Sequence, residues 1–267
     1  MELSIIIVNY NGKYFPRLCI EAIKRNKTDF PYEIIVIDNC STDQESLEYL
    51  EKADQRKELK LIKLNKNLGF AKANNIAAKE AIGKYFLILN PDVFIEENFL
   101  QKMHDYLKEN SEIGVLGPKL VYTSDKIQYS CRREENISLW DLIIKRSFLS
   151  KFKKYQKRID HYLMKDFDHN ETKDVDLLVG ACMLIPREVF KQVKGFDERY
   201  FLFMEDFDLC KKIRKNGLKV TYYPKAKAVH NHKRLSGGKI SKLFYKKVTW
   251  LHLVSAIKYF WKWRKNG

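Results

Sequence analysis

Short apolar runs alternate with amphipathic stretches through the first part of the chain. Residues 3–8 are rich in Ile and Val and end at Asn9-Tyr10-Asn11-Gly12, which reads as a buried strand closed by a turn. A helix is predicted over about 16–25. A second strand, 33–37, runs into Asp38-Asn39-Cys40-Ser41-Thr42-Asp43, where Ser41 or Thr42 is suited to cap a helix over about 43–53. Residues 59–64 predict a third strand. Asn67-Leu68-Gly69-Phe70 opens a helix to about Ile82, and Gly83 ends it. A fourth strand over 84–89 and a helix over about 96–108 follow.

The rest of the chain is less regular. A strand is predicted over 114–122, but 132–173 is polar, basic and without an assignable element. Within it, 145–158 carries seven basic residues and no acid, which suits an insertion, a lid or a solvated helix face. Further on, the pattern predicts a strand over 176–186, a short helix over 187–193 and a helix over 205–215 ended by Asn216-Gly217. Two short strands, 219–223 and 226–230, precede a long helix over about 239–263 that carries Trp250, Tyr259, Trp261 and Trp263. Strands alternating with helices predict an α/β chain with a parallel, Rossmann-like sheet. Ligands of such sheets bind beyond the carboxyl ends of the strands, where the loops at Asn9, Asp38 and Asn90 fall. No GxGxxG follows the first strand, which argues against a dinucleotide oxidoreductase.

Charge changes the picture at one end only. The 267 residues carry a net charge of +16, and the last 59, after Asp208, hold 17 Lys or Arg and no acid. Such a tail favours anionic partners: phosphates, anionic lipid headgroups or nucleic acid. No nucleic-acid-binding motif accompanies the charge, so nucleic acid is not the expected partner. The five cysteines lack zinc-like spacing and read as reduced thiols of a cytosolic protein. Nothing before Leu3 resembles a signal peptide, and no run of 18 apolar residues is long enough to span a bilayer.

Two acidic motifs carry the chemistry. Asn90-Pro91-Asp92 closes an apolar run, and a carboxylate there is well placed to hold a hard cation at a sheet edge. Glu205-Asp206 is embedded in aromatics, a setting that shifts carboxyl pKa values and favours proton removal. Together they suggest metal-assisted transfer from a phosphate-bearing donor.

Val8-Asn9-Tyr10-Asn11-Gly12, Ile37-Asp38-Asn39-Cys40-Ser41-Thr42-Asp43, Asn67-Leu68-Gly69-Phe70-Ala71-Lys72-Ala73-Asn74-Asn75, Leu89-Asn90-Pro91-Asp92-Val93, Gly180-Ala181-Cys182-Met183, and Gly195-Phe196-Asp197-Glu198 with Phe203-Met204-Glu205-Asp206-Phe207-Asp208-Leu209 occur in the order and spacing of a known family. Across about 3–232 the chain resembles the inverting family 2 glycosyltransferases of the GT-A fold, in their rhamnosyltransferase-like branch. The resemblance implies one domain over 1–232, with a nucleotide-binding part at about 1–123, an acceptor and catalytic part at about 174–232, and a basic aromatic tail over 233–267. It implies a UDP- or dTDP-sugar donor such as a rhamnose donor, a glycan or lipid-linked acceptor, a divalent cation (Mg²⁺ or Mn²⁺), inversion, and a place in cell-surface polysaccharide synthesis.

Residue by residue, Asp38 is expected on the base or ribose, with Asn9 and Asn11 framing the base or diphosphate. Asn67, Gly69 and Asn74, beside Asn75, face the nucleotide from a helix start. Asn90 stands where the family motif has Asp, so it offers a carbonyl oxygen or a ribose contact. The metal then rests on Asp92, with His230 of His230-Asn231-His232 as a further ligand beside Ser236-Gly237-Gly238. Asp206 is the expected base and Glu205 its alternate, while Asp208 points elsewhere and pairs with Lys or Arg. Gly180-Ala181 leaves room for the sugar or acceptor. The C-terminal helix suits either an anionic membrane surface, making a cytoplasmic protein peripheral to the membrane, or packing on the domain. Two other readings remain open at this point. A sugar nucleotidyltransferase needs a Gly-rich first loop, which Asn9-Tyr10-Asn11-Gly12-Lys13 matches poorly; a basic nucleic-acid- or membrane-binding protein needs no catalysis.

Overall fold

The computed structural model describes residues 1–134, 152–231 and 247–264. Strand β1 (Leu3–Asn9) is buried along its whole length. A strand with no wet face needs neighbours on both edges and cover on both sides. The chain supplies them with α1 (Phe15–Lys24), β2 (Tyr32–Asp38), α2 (Gln44–Gln55), β3 (Lys60–Lys63), α3 (Phe70–Glu80) and β4 (Tyr85–Leu89). Next come β5 (Val93–Ile95), α4 (Phe99–Glu109), β6 (Ile113–Val121), β7 (Cys131–Arg132), α5 (Lys153–Tyr162), β8 (Lys173–Asp174), β9 (Leu177–Leu178) and β10 (Cys182–Pro186). The described elements end with α6 (Arg187–Gln192), α7 (Glu205–Lys215), β11 (Lys219–His230) and α8 (Lys247–Arg264).

The main sheet has the order β3-β2-β1-β4-β10-β6-β11-β5, with β8 beside β11; β7 and β9 form a separate pair. Strands β3, β2, β1 and β4 are parallel, as the sequence pattern predicts. Beyond β4 the sheet is mixed: β10 runs antiparallel between β4 and β6, and β5 and β8 run antiparallel to β11. The chain leaves β1 toward β3 and returns on the other side at β4, so the strand order reverses at β1/β4, where open α/β sheets form clefts. Two apolar cores cover the two faces of the sheet, and a third cluster lies under α8.

Several boundaries differ from the sequence expectation for local reasons. The cap of α2 is Asp43, whose carboxylate accepts from the Ser46 N–H at 2.9 Å, and not Ser41 or Thr42. The strand expected over 176–186 breaks into β9 and β10, because Val179–Ala181 leave the ladder. The two strands expected over 219–230 are one, β11, with a register shift between Tyr223 and Lys227. His232, Ser236-Gly237-Gly238 and the first half of the basic run 145–158 lie outside the described residues, as does the start of the helix expected from 239. All five cysteines are free thiols.

Candidate active site

Strand directions bring the motifs to one sheet edge. Asn9, the last residue of β1, lies opposite Asp38, the last of β2. Strand β4 ends at Leu89, opposite Cys182, where antiparallel β10 begins. His230, the last residue of β11, pairs with Val93, next to Asp92.

At the β1/β2 end, polar side chains hold one another. The Asn9 amide donates to Asp38 Oδ1 at 2.9 Å and reaches Ser41 and Ser46. Asp38 Oδ2 accepts from the Ser41 N–H at 2.9 Å. Asn11 adopts a left-handed φ of 53°, a conformation Asn tolerates better than most residues, and its Oδ1 accepts from the Thr42 N–H at 2.7 Å. Asn9 is fully buried, and its Nδ2 is engaged inside the fold. The expectation that it frames the base or diphosphate is therefore corrected: it stands behind Asp38 and orients it. Asn74 is likewise fully buried, with its amide on the Phe70 carbonyl at 2.9 Å, so it shapes α3 and does not face a ligand.

Asn39, which sequence reasoning left without a role, joins this loop to the next. Its Oδ1 accepts from the Leu68 N–H at 2.8 Å, and its Nδ2 donates to Asn67 Oδ1 at 3.0 Å. Asn67 Oδ1 also accepts from the Gly69 N–H at 2.9 Å. Gly69 has φ 82°, and a side chain there would strike the Phe201 carbonyl. That carbonyl instead accepts from the Phe70 N–H at 2.9 Å, so the start of α3 rests on the loop that leads into the acid pair. Asn75 clasps the same loop through the Phe196 N–H and carbonyl, both at 2.9 Å.

Asp92 and His230 face each other, with His230 Nε2 3.4 Å from Asp92 Oδ1. The buried imidazole meets Gln128 Oε1 through Nδ1 at 2.9 Å. The ring is thus held between Gln128 and Asp92, and an imidazole nitrogen beside a carboxylate is a pairing able to share a cation. No group of three metal-capable side chains occurs among the described residues. One carboxylate and one imidazole nevertheless fit a divalent ion that takes its remaining ligands from phosphate oxygens and water. Gln128 has no local sequence signal; only the fold brings it to His230.

Asn90 connects this corner to the acid pair. Its N–H donates to the Ala181 carbonyl at 2.9 Å, and the neighbouring Gly180 N–H donates to Asp206 Oδ2 at 2.8 Å. Gly180 is free to do so because the chain leaves the sheet between β9 and β10. A methyl group on Gly180 would lie 2.9 Å from Asp206 Cβ, so the close approach this glycine permits is to Asp206. Asp206 Oδ1 accepts from the Phe207 N–H at 2.9 Å at the N-terminal end of α7. Just before it, Phe203 and Met204 have left-handed φ of 70° and 72°. Non-glycine residues in that region cost about 1–3 kcal/mol each and persist where the surroundings fix them.

The pair is electrostatically unequal. Burial, reinforced by the charge of Asp206, pushes the Glu205 carboxyl well above its ordinary value, and one of its oxygens is buried without a hydrogen-bond partner. Burial thus favours the neutral form of Glu205. Burial also raises Asp206, but the Gly180 and Phe207 N–H groups and the positive field of Arg132 work against the rise. Asp206 is the half-buried carboxylate able to take up a proton.

Asp208 points away from this edge, as expected, and holds α8. Its Oδ1 accepts from Lys262 at 2.5 Å and from Trp263 Nε1 at 3.0 Å; Lys212 lies 3.7 Å from Oδ2. The Lys262 ammonium also bonds Asp197 at 2.8 Å. Ser255 donates to the Leu202 carbonyl at 2.9 Å, and the His252 ring stacks on Phe203 at 4.3 Å. The inner face of α8 therefore packs on the domain.

Solved structures share this architecture. The chain superposes on GalNAc-T7 solved with UDP, GalNAc and Mn²⁺, with a TM-score of 0.67 at 17% identity, covering 86% of this chain and 43% of that one. It superposes on S. aureus TarS 1–349 with UDP-GlcNAc at a TM-score of 0.60 and 19% identity, covering 92% and 64%. The fold is the GT-A fold of glycosyltransferases. Residues 4–194 match the model for glycosyl transferase family 2, and 161–235 match one described as the N-terminal domain of galactosyltransferase. The chain belongs to glycosyl transferase family 2. It is 28% identical to the N-acetylglucosaminyl-diphospho-decaprenol L-rhamnosyltransferase of Mycobacterium tuberculosis, over 89% of this chain and 78% of that protein. It is also 28% identical to the rhamnosyltransferase WbbL of Escherichia coli K12, over 96% and 91%.

Proposed function

We propose that this protein transfers a sugar, with inversion, from a UDP- or dTDP-sugar to a lipid-linked or glycan acceptor in cell-surface polysaccharide synthesis. The observation that carries the reading is the short link Asn90–Ala181–Gly180–Asp206, which ties the proposed metal corner to a carboxylate suited to act as base. Asp38 keeps free acceptor positions on both oxygens and contacts the nucleoside, with Asn11, Asn67 and Gly69 shaping the loops around it. Asp92 and His230 would hold a divalent cation, and Asn90 lines the same corner. The chemistry such a cation would supply is neutralisation of charge on the departing diphosphate.

Asp206 accepts the proton of the acceptor hydroxyl as that oxygen attacks the anomeric carbon from the face opposite the diphosphate. One displacement of this kind inverts the centre. The Gly180 N–H keeps the carboxylate aimed, and burial of Glu205 disfavours a second charge beside it. Similarity to the two rhamnosyltransferases supports a rhamnose donor and a lipid-linked acceptor. The test is a panel of nucleotide sugars, with and without Mg²⁺ or Mn²⁺, read by nucleoside diphosphate release. Asp206→Asn is expected to abolish transfer while binding the nucleotide nearly as well as the wild type. Transfer retained by that variant would rule out the base.

A further inference from the structure

The geometry points to a seat for a phosphate group of the acceptor at Arg132 and Ser130, beside the proposed base. The inference deepens the glycosyltransferase reading and rests on it: it selects a phosphate-linked acceptor over a plain glycan. Arg132 is half-buried at the end of β7. Its Nη1 donates to the carbonyls of Tyr129 and Cys131, the latter at 2.7 Å, and its guanidinium carbon lies 5.6 Å from the centre of the Tyr162 ring. Those contacts fix the group, but none of them supplies a negative charge. Neighbouring cations have carboxylates: Arg133 bonds Asp166 at 2.7 Å, Lys211 and Arg214 bond Glu134 at 2.5 and 2.9 Å, and Arg214 also meets Asp176 at 3.0 Å. Among the described residues Arg132 has no carboxylate partner. A guanidinium drawn partly out of water and held in place without a counter-ion suits an incoming anion. Nη1 is occupied, which leaves Nε and Nη2, a side of the fork that can grip two phosphate oxygens at once.

Ser130 adds a second observation. The carbonyls of Ser130 and Arg132 both face β9, accepting from the Val179 N–H at 2.9 Å and the Asp176 N–H at 3.2 Å. Two such residues of an extended chain send their side chains to one face. Cys131 between them goes to the other, with its thiol 3.9 Å from His169 Nδ1. Ser130 Oγ is buried without a hydrogen-bond partner, a costly state for a hydroxyl. A phosphate oxygen seated at Arg132 offers the acceptor that Ser130 lacks. The place also suits the reaction. Tyr162, against which Arg132 lies, packs with Met204, two residues before Asp206. Val179, bonded to Ser130, precedes Gly180, whose N–H holds Asp206. The positive field of Arg132 reaches that carboxylate. In a sugar linked to a lipid through a diphosphate, the attacking hydroxyl and the first phosphate hang on one ring. With the hydroxyl at Asp206, the phosphate falls within a ring's width of it, on the side where Arg132 stands.

The test compares two acceptors, N-acetylglucosamine joined to octanol through a diphosphate and the same sugar joined to octanol directly, by the ratio of their kcat/KM values. The wild type is expected to favour the diphosphate acceptor on the order of tenfold to a hundredfold, the range of hydrogen bonds to a charged group. Arg132→Gln is expected to lose most of that preference, and Ser130→Ala a few-fold of it. Any effect of the lost charge on Asp206 slows both acceptors alike and cancels in the ratio. Ser130→Ala should melt at or above the wild-type temperature, because its hydroxyl has no partner to lose. Nucleoside diphosphate affinity, read by calorimetric titration, should match the wild type in both variants. A wild type without preference, or Arg132→Gln with the wild-type ratio, would overturn the proposal. So would a variant whose nucleotide affinity falls while the ratio stays, which assigns Arg132 to the donor diphosphate. If Arg132→Gln does not fold, Ser130→Ala and Arg132→Lys, which keeps the charge but not the fork, decide the matter, and a wild-type ratio in both refutes the seat. Titration of the diphosphate acceptor without donor separates the seat from the reaction. Binding that weakens on the order of tenfold in Arg132→Gln sustains the seat even where no donor releases nucleoside diphosphate, a result that refutes only the enzyme reading.

Discussion

Replacing Asp208 tests whether α8 holds the acid pair in place. Asp208 is fully buried and accepts from Lys262 and Trp263, with Lys212 near its second oxygen. Asp208→Ala removes one member of a buried charged cluster and leaves the Trp263 N–H without its acceptor. Breaking such a pair costs about 3–5 kcal/mol, of which an unsatisfied buried N–H accounts for about 1–3. At about 2–4 °C per kcal/mol for a domain of this size, the melting temperature should fall by roughly 6–20 °C. Asp208→Asn keeps an acceptor of the same shape but loses the charge, a difference of about 1 kcal/mol or a few degrees. Because α8 braces the turn at Phe203 and Met204, the Ala variant should also turn over more slowly. A displacement of Asp206 by about 1 Å lowers the rate on the order of 100-fold, with little change in nucleotide affinity. Calorimetry and nucleoside diphosphate release under saturating donor read the two effects. An Ala variant that melts with the wild type, or that loses stability while keeping full turnover, would refute the reasoning.

Three further outcomes are expected. Gly180→Ala sets a methyl group against Asp206 Cβ, so turnover should drop while nucleotide binding, measured by calorimetric titration, stays as it was. Glu205 has a raised carboxyl pKa in the folded state, so folding takes up a proton and stability falls as pH rises from the ordinary value of 4.5 through the raised one. Glu205→Gln lacks that proton uptake: its melting temperature relative to the wild type should climb with pH across that window, and a flat difference would show that burial does not hold Glu205 neutral. Gln128→Leu removes the acceptor that orients His230 and should weaken Mn²⁺ binding about 10–100-fold, read by the spin resonance of free Mn²⁺; unchanged affinity would count against His230 as a ligand.

Local signals carried the first half of the sheet well. The runs that became β1, β2, β3 and β4 are short, apolar and punctuated by polar turns, and the period alone distinguishes them from the helices between. The same signals marked Asp38, Asp92 and Asp206, because a carboxylate after a strand or at a helix start is a local pattern. Contacts between distant segments were not legible. Asn9 and Asn74 look like ligand-facing amides until the fold closes over them, and Gln128 gains a role only when β6 and β11 lie side by side. Strand β10 runs antiparallel because it begins at the edge where β4 ends, a matter of chain path that its composition does not encode. For α8, the aromatic and basic residues were visible, but not that Tyr259 and Trp263 turn inward while Trp250 and Trp261 face out.

The turn at Phe203 and Met204 explains why these distant contacts matter. Two successive left-handed residues without glycine cost about 2–6 kcal/mol together, and nothing in their sequence favours the conformation. The bonds that hold the turn come from both sides. From the nucleotide side, Gly69 gives room for the Phe201 carbonyl and Phe70 donates to it. From the C-terminal side, Ser255 bonds the Leu202 carbonyl, His252 stacks on Phe203, and Lys258 reaches the Arg199 carbonyl at 2.8 Å. Asp206 is the second residue of the helix that this turn starts. Its position is therefore a joint product of the loop opening α3 and of α8, and a change at either one is felt at the carboxylate without touching it.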